Sequence, residues 1–275
     1  MKRRYLLVFL LVFTYGCVGP TIVPSKDLLA RVTQVQVVAM EAPPLVLPSS
    51  YQSLVGGPSG IGPLIPIQAA GGSITAVRGL GVFNTLLIFM QLTEASYRSY
   101  DTSKSSQTVL DTKGVWTPTV VLANEISKQL MASGIAAHVT LGVKPIPGVE
   151  FRGATTTMEN WLAPIRAHYN YTGPVQSYRE LASNQSLFVL EVSISNYEVV
   201  NGKLLLQMHL KLIDPSGERI VGRARSNNAW NMPSLEPLDQ SLANDASQFK
   251  EVFSETGRQL SKESLVELGL LPPAD

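Results

Sequence analysis

At 275 residues and 45% hydrophobic, the chain can bury a core of its own, and a single cysteine excludes a fold held by intramolecular disulfides. Its 22 Lys and Arg against 21 Asp and Glu leave a formal charge of +1, which becomes −2 without Lys2, Arg3 and Arg4. So even a balance argues against a surface built to hold nucleic acid.

Lys2, Arg3 and Arg4 precede an apolar stretch from Tyr5 to Phe13, and Thr14-Tyr15-Gly16 then leads into Cys17. That is the layout of a secretory signal peptide over residues 1–16. The stretch is shorter than the roughly 20 apolar residues a helix needs to cross a membrane, so a cleaved leader fits better than a permanent anchor. Gly16-Cys17 resembles the end of a bacterial lipobox, whose cysteine is diacylated and becomes the mature N-terminus. The resemblance implies lipidation at Cys17, with residues 17–30 as acylated terminus and tether. The small, proline-containing run from Val18 to Lys26 suits a tether. The plainer alternative is a secreted protein with one incidental cysteine, a liability in an oxidising compartment.

Residues 31–271 read as one domain. Val32 to Met40 is rich in β-branched residues and is stopped by Pro43-Pro44, which predicts a first, buried strand. From 45 to 81 the composition shifts to glycine, proline and small apolar residues, a density that no ordinary helix or central strand tolerates. Val82 to Leu92 is the most apolar run after the leader and is too short to span a bilayer as a helix. It is either a buried core element or, with the Gly/Pro-rich insertion, a surface packed on membrane or on neighbouring subunits. Tyr97 to Lys113 is polar and reads as a loop or a fraying helix end.

Thr117 as N-cap, Pro118 at the first helical position, Leu122, Ile126 and Leu130 at helical spacing and Gly134 as stop predict a helix. Ile135 to Val143 follows as a strand. Phe151 to Gln185 shows no regular period and reads as irregular. A meander comes next. Phe188, Leu190, Val192 and Ile194 alternate with Val189, Glu191, Ser193 and Ser195, as a strand with one core face requires. Asn201-Gly202 signals a type I′ hairpin. Leu204 to Leu212 returns with Gln207, His209 and Lys211 facing out, and Asp214-Pro215-Ser216-Gly217 turns again. The last strand places Ile220, Gly222 and Ala224 on one face and Arg219, Val221, Arg223 and Arg225 on the other. From Asp239 a long amphipathic helix carries Leu242, Ala246, Phe249, Val252, Phe253 and Leu260 on one stripe.

Chemistry is sparse. His138, His168 and His209 sit on separate elements without metal-ligand spacing, so no metal and no cofactor is expected. Gly60-Ile61-Gly62 and Gly79-Leu80-Gly81 lack the third glycine of a dinucleotide loop, no Gly-Lys-Ser/Thr follows a glycine-rich turn, and Gly57-Pro58-Ser59-Gly60 misses the spacing of a nucleophile elbow. Glu125, Glu150, Glu159 and Glu191 read as solvated surface charge rather than as an acid and base pair. His209, Lys211, Arg219, Arg223 and Arg225 lie on neighbouring strands. They form a possible binding face for an anionic glycan or headgroup, set against a solvated sheet edge blunted by charge, and the three arginines on their strand face are expected to be solvated or paired with Glu191 or Glu198.

The order of Val35 to Met40, Leu122 to Gly134 running into Ile135 to Val139, Leu187 to Asn196, Leu204 to Asp214 and Gly217 to Arg223 resembles that of a superfamily of envelope lipoproteins. It groups the curli-secretion lipoprotein, the penicillin-binding-protein-activator lipoproteins and the auxiliary lipoproteins of transport systems. The likeness covers about half of the mature chain and contains no catalytic motif. It implies a helix packed on a mixed sheet and, with Val18 rather than aspartate after the cysteine, export to the outer membrane on its periplasmic side. The expectation is therefore an α+β or α/β domain, a mixed and largely antiparallel sheet with two or more packed helices and a Gly/Pro-rich insertion. Its role is expected to be binding and not enzymatic. It would be an adaptor for envelope assembly or transport, held to the membrane through its N-terminal lipid and bound to an envelope protein partner. The alternative is a self-oligomer forming an outer-membrane secretion channel.

Overall fold

The computed structural model describes residues 21–43, 45–46, 116–149 and 159–273. The leader, Cys17, the insertion beyond Val46, the apolar run Val82 to Leu92, the polar stretch to Lys113 and the start of the segment at Phe151 lie outside the described residues.

A short helix α1 (Lys26–Leu29) leads to strand β1 (Gln34–Ala39). After the insertion come α2 (Pro118–Ala132), β2 (Ala136–Val139), α3 (Glu159–Asn170) and a 3₁₀ helix (Gln176–Leu181). The meander β3 (Leu187–Val200), β4 (Lys203–Asp214) and β5 (Arg219–Asn227) follows, and α4 (Leu238–Glu267) closes the domain. The five strands form one sheet in the order β2-β1-β3-β4-β5. β1 runs parallel to both β2 and β3, whereas the longer β3-β4 and β4-β5 ladders are antiparallel. The fold is α+β on a mixed sheet.

Local chemistry explains the boundaries. Pro118 occupies the start of α2, and Gly134, at φ 87°, turns the chain into β2. Asn201 (φ 50°) and Gly202 (φ 68°) make the left-handed pair of a tight hairpin between β3 and β4. At the next turn Asp214 Oδ1 accepts hydrogen bonds from the Ser216 N–H (3.1 Å) and hydroxyl (2.6 Å) and from the Gly217 N–H (3.3 Å).

Two helices cover one face of the sheet. Leu122, Ile126 and Leu130 of α2 and Phe249, Phe253 and Leu260 of α4 pack on Phe188, Leu190, Val192 and Ile194 of β3 and on Leu204 to Leu212 of β4. The helices approach closely at Gly257, where a Cβ would overlap the side chain of Leu122. Trp116 meets Phe253 edge to face, with ring centroids 5.2 Å apart.

The opposite face carries a smaller apolar cluster in which Trp161 and Ile165 of α3 and Tyr178 of the 3₁₀ helix meet Val38, Val189 and Ile213. Phe151 to Gln185 is thus not irregular throughout, because it contains α3. Trp161, Ile165 and Tyr169, spaced four apart and all buried, hold that helix on the sheet despite Pro164 inside it. β3 is consequently buried on both faces.

Bulges shift two strand periods. A register shift between Ile194 and Asn196 puts Tyr197 and Val199 into the main core, where strict alternation would have put Asn196 and Glu198. In β5, Leu212 pairs with Gly222 and Ile213 with Ile220, so Val221 is the extra residue. Val221 joins the main core, and Ile220 packs on the cluster under α3, the reverse of their expected faces.

Candidate functional site

The polar side of β3, β4 and β5 converges beneath the C-terminal half of α3. Its centre is Glu191, 4% exposed. Tyr178 donates its hydroxyl to Glu191 Oε1 at 2.7 Å, and His168 Nε2 lies 2.8 Å from Oε2. The Lys211 ammonium sits 3.6 Å from the same oxygen. Three elements therefore meet on one carboxylate: α3 through His168, the 3₁₀ helix through Tyr178 and β4 through Lys211.

The basic residues also complete a helix end. The last carbonyls of a helix have no partners within it. Here Lys211 donates to the His168 carbonyl, and Arg223 donates to the Tyr169 carbonyl at 3.1 Å. Positive charge at that end is favoured by the helix dipole as well. The Arg223 guanidinium stands 5.5 Å from the centroid of the Tyr169 ring, and the His209 ring is tilted against Tyr169 with centroids 4.2 Å apart. His209 Nε2 is within hydrogen-bond distance of Ser195 Oγ, and its Nδ1 is buried without a partner.

Burial and charge act against each other in this cluster. Burial alone pushes the Glu191 carboxyl up, but the His168 hydrogen bond, the Lys211 and His168 charges and the Tyr178 hydroxyl outweigh it and hold the carboxyl at about 2. Glu191 is therefore an anion at neutral pH, with donors on both oxygens. Burial, and then repulsion from Arg225, Arg166 and Lys211, lowers His209 to about 3 and keeps it neutral. Burial lowers Lys211 and Lys144 from the ordinary lysine value, with Glu191 opposing both shifts. Lys144 Nζ lies 3.7 Å from the centroid of the Tyr178 ring, closing the cluster on the side of β1.

The five residues expected to share a basic face do lie on adjoining strands, with Lys211 opposite Arg223 and His209 opposite Arg225. Only Arg219 and Arg225 are exposed. His209, Lys211 and Arg223 are buried because α3 covers them, so the outward face expected for His209 and Lys211 looks onto a helix. Arg219 lies 3.6 Å from Asp214 across the turn. Glu191, read as surface charge, is the buried hub, and it pairs with Lys211 of β4. His168 and Tyr178 escaped the sequence reading. They are 23 and 13 residues from Glu191, and no local pattern signals so long a reach. Among the described residues no group of three or more His, Cys, Asp or Glu is arranged to hold a metal ion.

No protein family and no curated protein matches this sequence. Solved structures give distant likenesses. A PelC dodecamer from Paraburkholderia phytofirmans is 11% identical with a TM-score of 0.36, the match covering 91% of this chain and 98% of that one. A second PelC dodecamer from the same organism is 14% identical with a TM-score of 0.30, covering 55% and 76%. The hypothetical protein CT253 from Chlamydia trachomatis is 12% identical with a TM-score of 0.31, covering 57% and 87%.

Proposed function

We propose that this chain is a lipid-anchored protein on the periplasmic side of the outer membrane, serving as one subunit of an oligomeric export assembly and joined to further copies along its β2 edge. Its role is read as binding and not catalysis; among the described residues the buried carboxylate of Glu191 already has partners on both oxygens. The anchor rests on the leader and Cys17 in the sequence.

The observation that carries self-association is the open edge of β2. Among the described residues β2 pairs only with β1, and Ala136-Ala137-His138-Val139 contains no lysine, proline or bulge to blunt its outer side. Leu141, 99% exposed, and Val143, at 39%, follow the strand in the chain, and Met131 near the end of α2 is 53% exposed. A strand edge without a partner among the described residues, next in sequence to exposed apolar side chains, is a surface that gains by being covered. Among the described residues no helix is long and apolar enough to cross a membrane.

The test is the mass of the full chain in mild detergent, by light scattering, with mass spectrometry of the N-terminal peptide. A multi-copy particle that Leu141→Asp reduces to single chains, with Cys17 acylated, is the expected result. A monomer at every concentration defeats the oligomer reading, and a monomer that copurifies with one foreign envelope protein favours the adaptor role. An unmodified Cys17 removes the anchor.

A further inference from the structure

The chain just beyond Cys17 is fastened to one edge of the sheet. Ile22 donates its N–H to the Arg223 carbonyl at 3.0 Å and accepts from the Arg223 N–H at 2.9 Å, extending the sheet beyond β5. The Thr21 hydroxyl donates to Glu267 near the end of α4. Pro24 is buried against Gly222, where a Cβ would come within 3.0 Å of its ring and 2.9 Å of Leu268. Leu28 and Leu29 pack on the main core. From Thr21 onward, then, the terminus is part of the domain and not a free linker.

Covalent geometry limits what remains. Four residues lie between Cys17 and Ile22, and the five residue steps from one to the other reach about 18 Å at most when fully extended. Strands stand about 4.8 Å apart, so the four steps from β5 across to β2 span roughly 19 Å. The tether is therefore no longer than the sheet is wide.

We propose that the β5 edge, with Ile22, Val23 and Arg225, is the side of the domain turned toward the lipid surface, and that α2 and the β2 edge stand away from it. This rests on the acylation of Cys17 in the proposed function and adds an orientation to it. Two anchored copies can lean together and meet at their β2 edges while both acyl groups stay in one leaflet.

The test uses the acylated full chain in lipid vesicles. With Cys17 blocked by its lipid and no other cysteine in the chain, Val23→Cys, Arg225→Cys and Lys128→Cys each give one labelling site. Val23 and Arg225 are exposed at the β5 edge, and Lys128 is exposed on α2. Headgroup-spin-labelled lipid is expected to quench a fluorophore at positions 23 and 225 several-fold more than one at 128. Inserting about a dozen Gly/Ser residues between Pro20 and Thr21 should level the three, since such a linker removes the length limit. Equal or reversed quenching in vesicle-bound protein overturns the orientation and leaves the anchor standing. If Cys17→Ser protein stays on the vesicles, the lipid anchor falls, and the orientation with it.

Discussion

Glu191 is the residue on which the α3 side of the sheet depends. Its anion offsets the buried Lys211 charge and receives His168 and Tyr178. Removing one partner of a buried ion pair costs roughly 3–5 kcal/mol, because the other charge is left uncompensated. Glu191→Gln should therefore lose about 3 kcal/mol of stability by urea unfolding, and an unchanged midpoint would show that the cluster is solvated. Acid acts on the same place in two steps. The unfolded chain protonates histidine near the ordinary 6.5, whereas His209 in the fold resists until about 3. Its contribution is complete above 6.5 and declines as pH falls from there to 3, by up to ~1.4 kcal/mol per unit. Glu191 contributes fully above the ordinary 4.5, and this is lost between 4.5 and about 2. The unfolding midpoint should begin to fall near pH 6.5, and His209→Gln should flatten the limb between 6.5 and 4.5 while leaving the steeper fall below it.

At the scale of elements, the α2-α4 crossing depends on one missing side chain. Gly257 faces Leu122, which is fully buried and whose Cδ2 an added Cβ would overlap, so one of the two would have to shift. Overpacking of this kind costs about 1–3 kcal/mol, so Gly257→Ala should lower the melting temperature despite the better helix propensity of alanine. A paired Leu122→Ala change should recover part of the loss, and no recovery would place the cost elsewhere than in this contact. The elements themselves were legible to different degrees, for physical reasons. Pro118 and Gly134 mark α2, Asn201-Gly202 marks the hairpin, and the stripe Ala246, Phe249, Phe253 and Leu260 marks α4, because each signal is local. The helix α3 is hidden, since its stripe has only Trp161, Ile165 and Tyr169 and is broken by Pro164. Once α3 is missed, Glu191, His209 and Lys211 read as a solvated face, because alternation cannot distinguish water from a helix that satisfies polar groups. The bulges at Ser195 and Val221 misassign faces for a related reason: one extra residue inverts everything beyond it.

The whole molecule is unequal on its two sides. One face of the sheet is sealed by α2 and α4 over the larger apolar core, and the other holds α3 over a smaller apolar cluster joined to a charged one. The smaller burial gives α3 less hydrophobic support, and its C-terminal carbonyls depend on Lys211 and Arg223. Glu191, His209 and Lys211 all lie beneath it, so the pH dependence that acts on the fold is concentrated in that layer. Regions with few buried apolar contacts open below the global unfolding free energy. Amide hydrogen exchange should therefore be faster in α3 than in α2 or the second half of α4 at pH 7. On going to pH 5 protection should fall most in α3, after correction for the intrinsic rate. Equal losses across the three helices would mean that the two layers open as one unit and that the charged cluster couples them instead of loosening one.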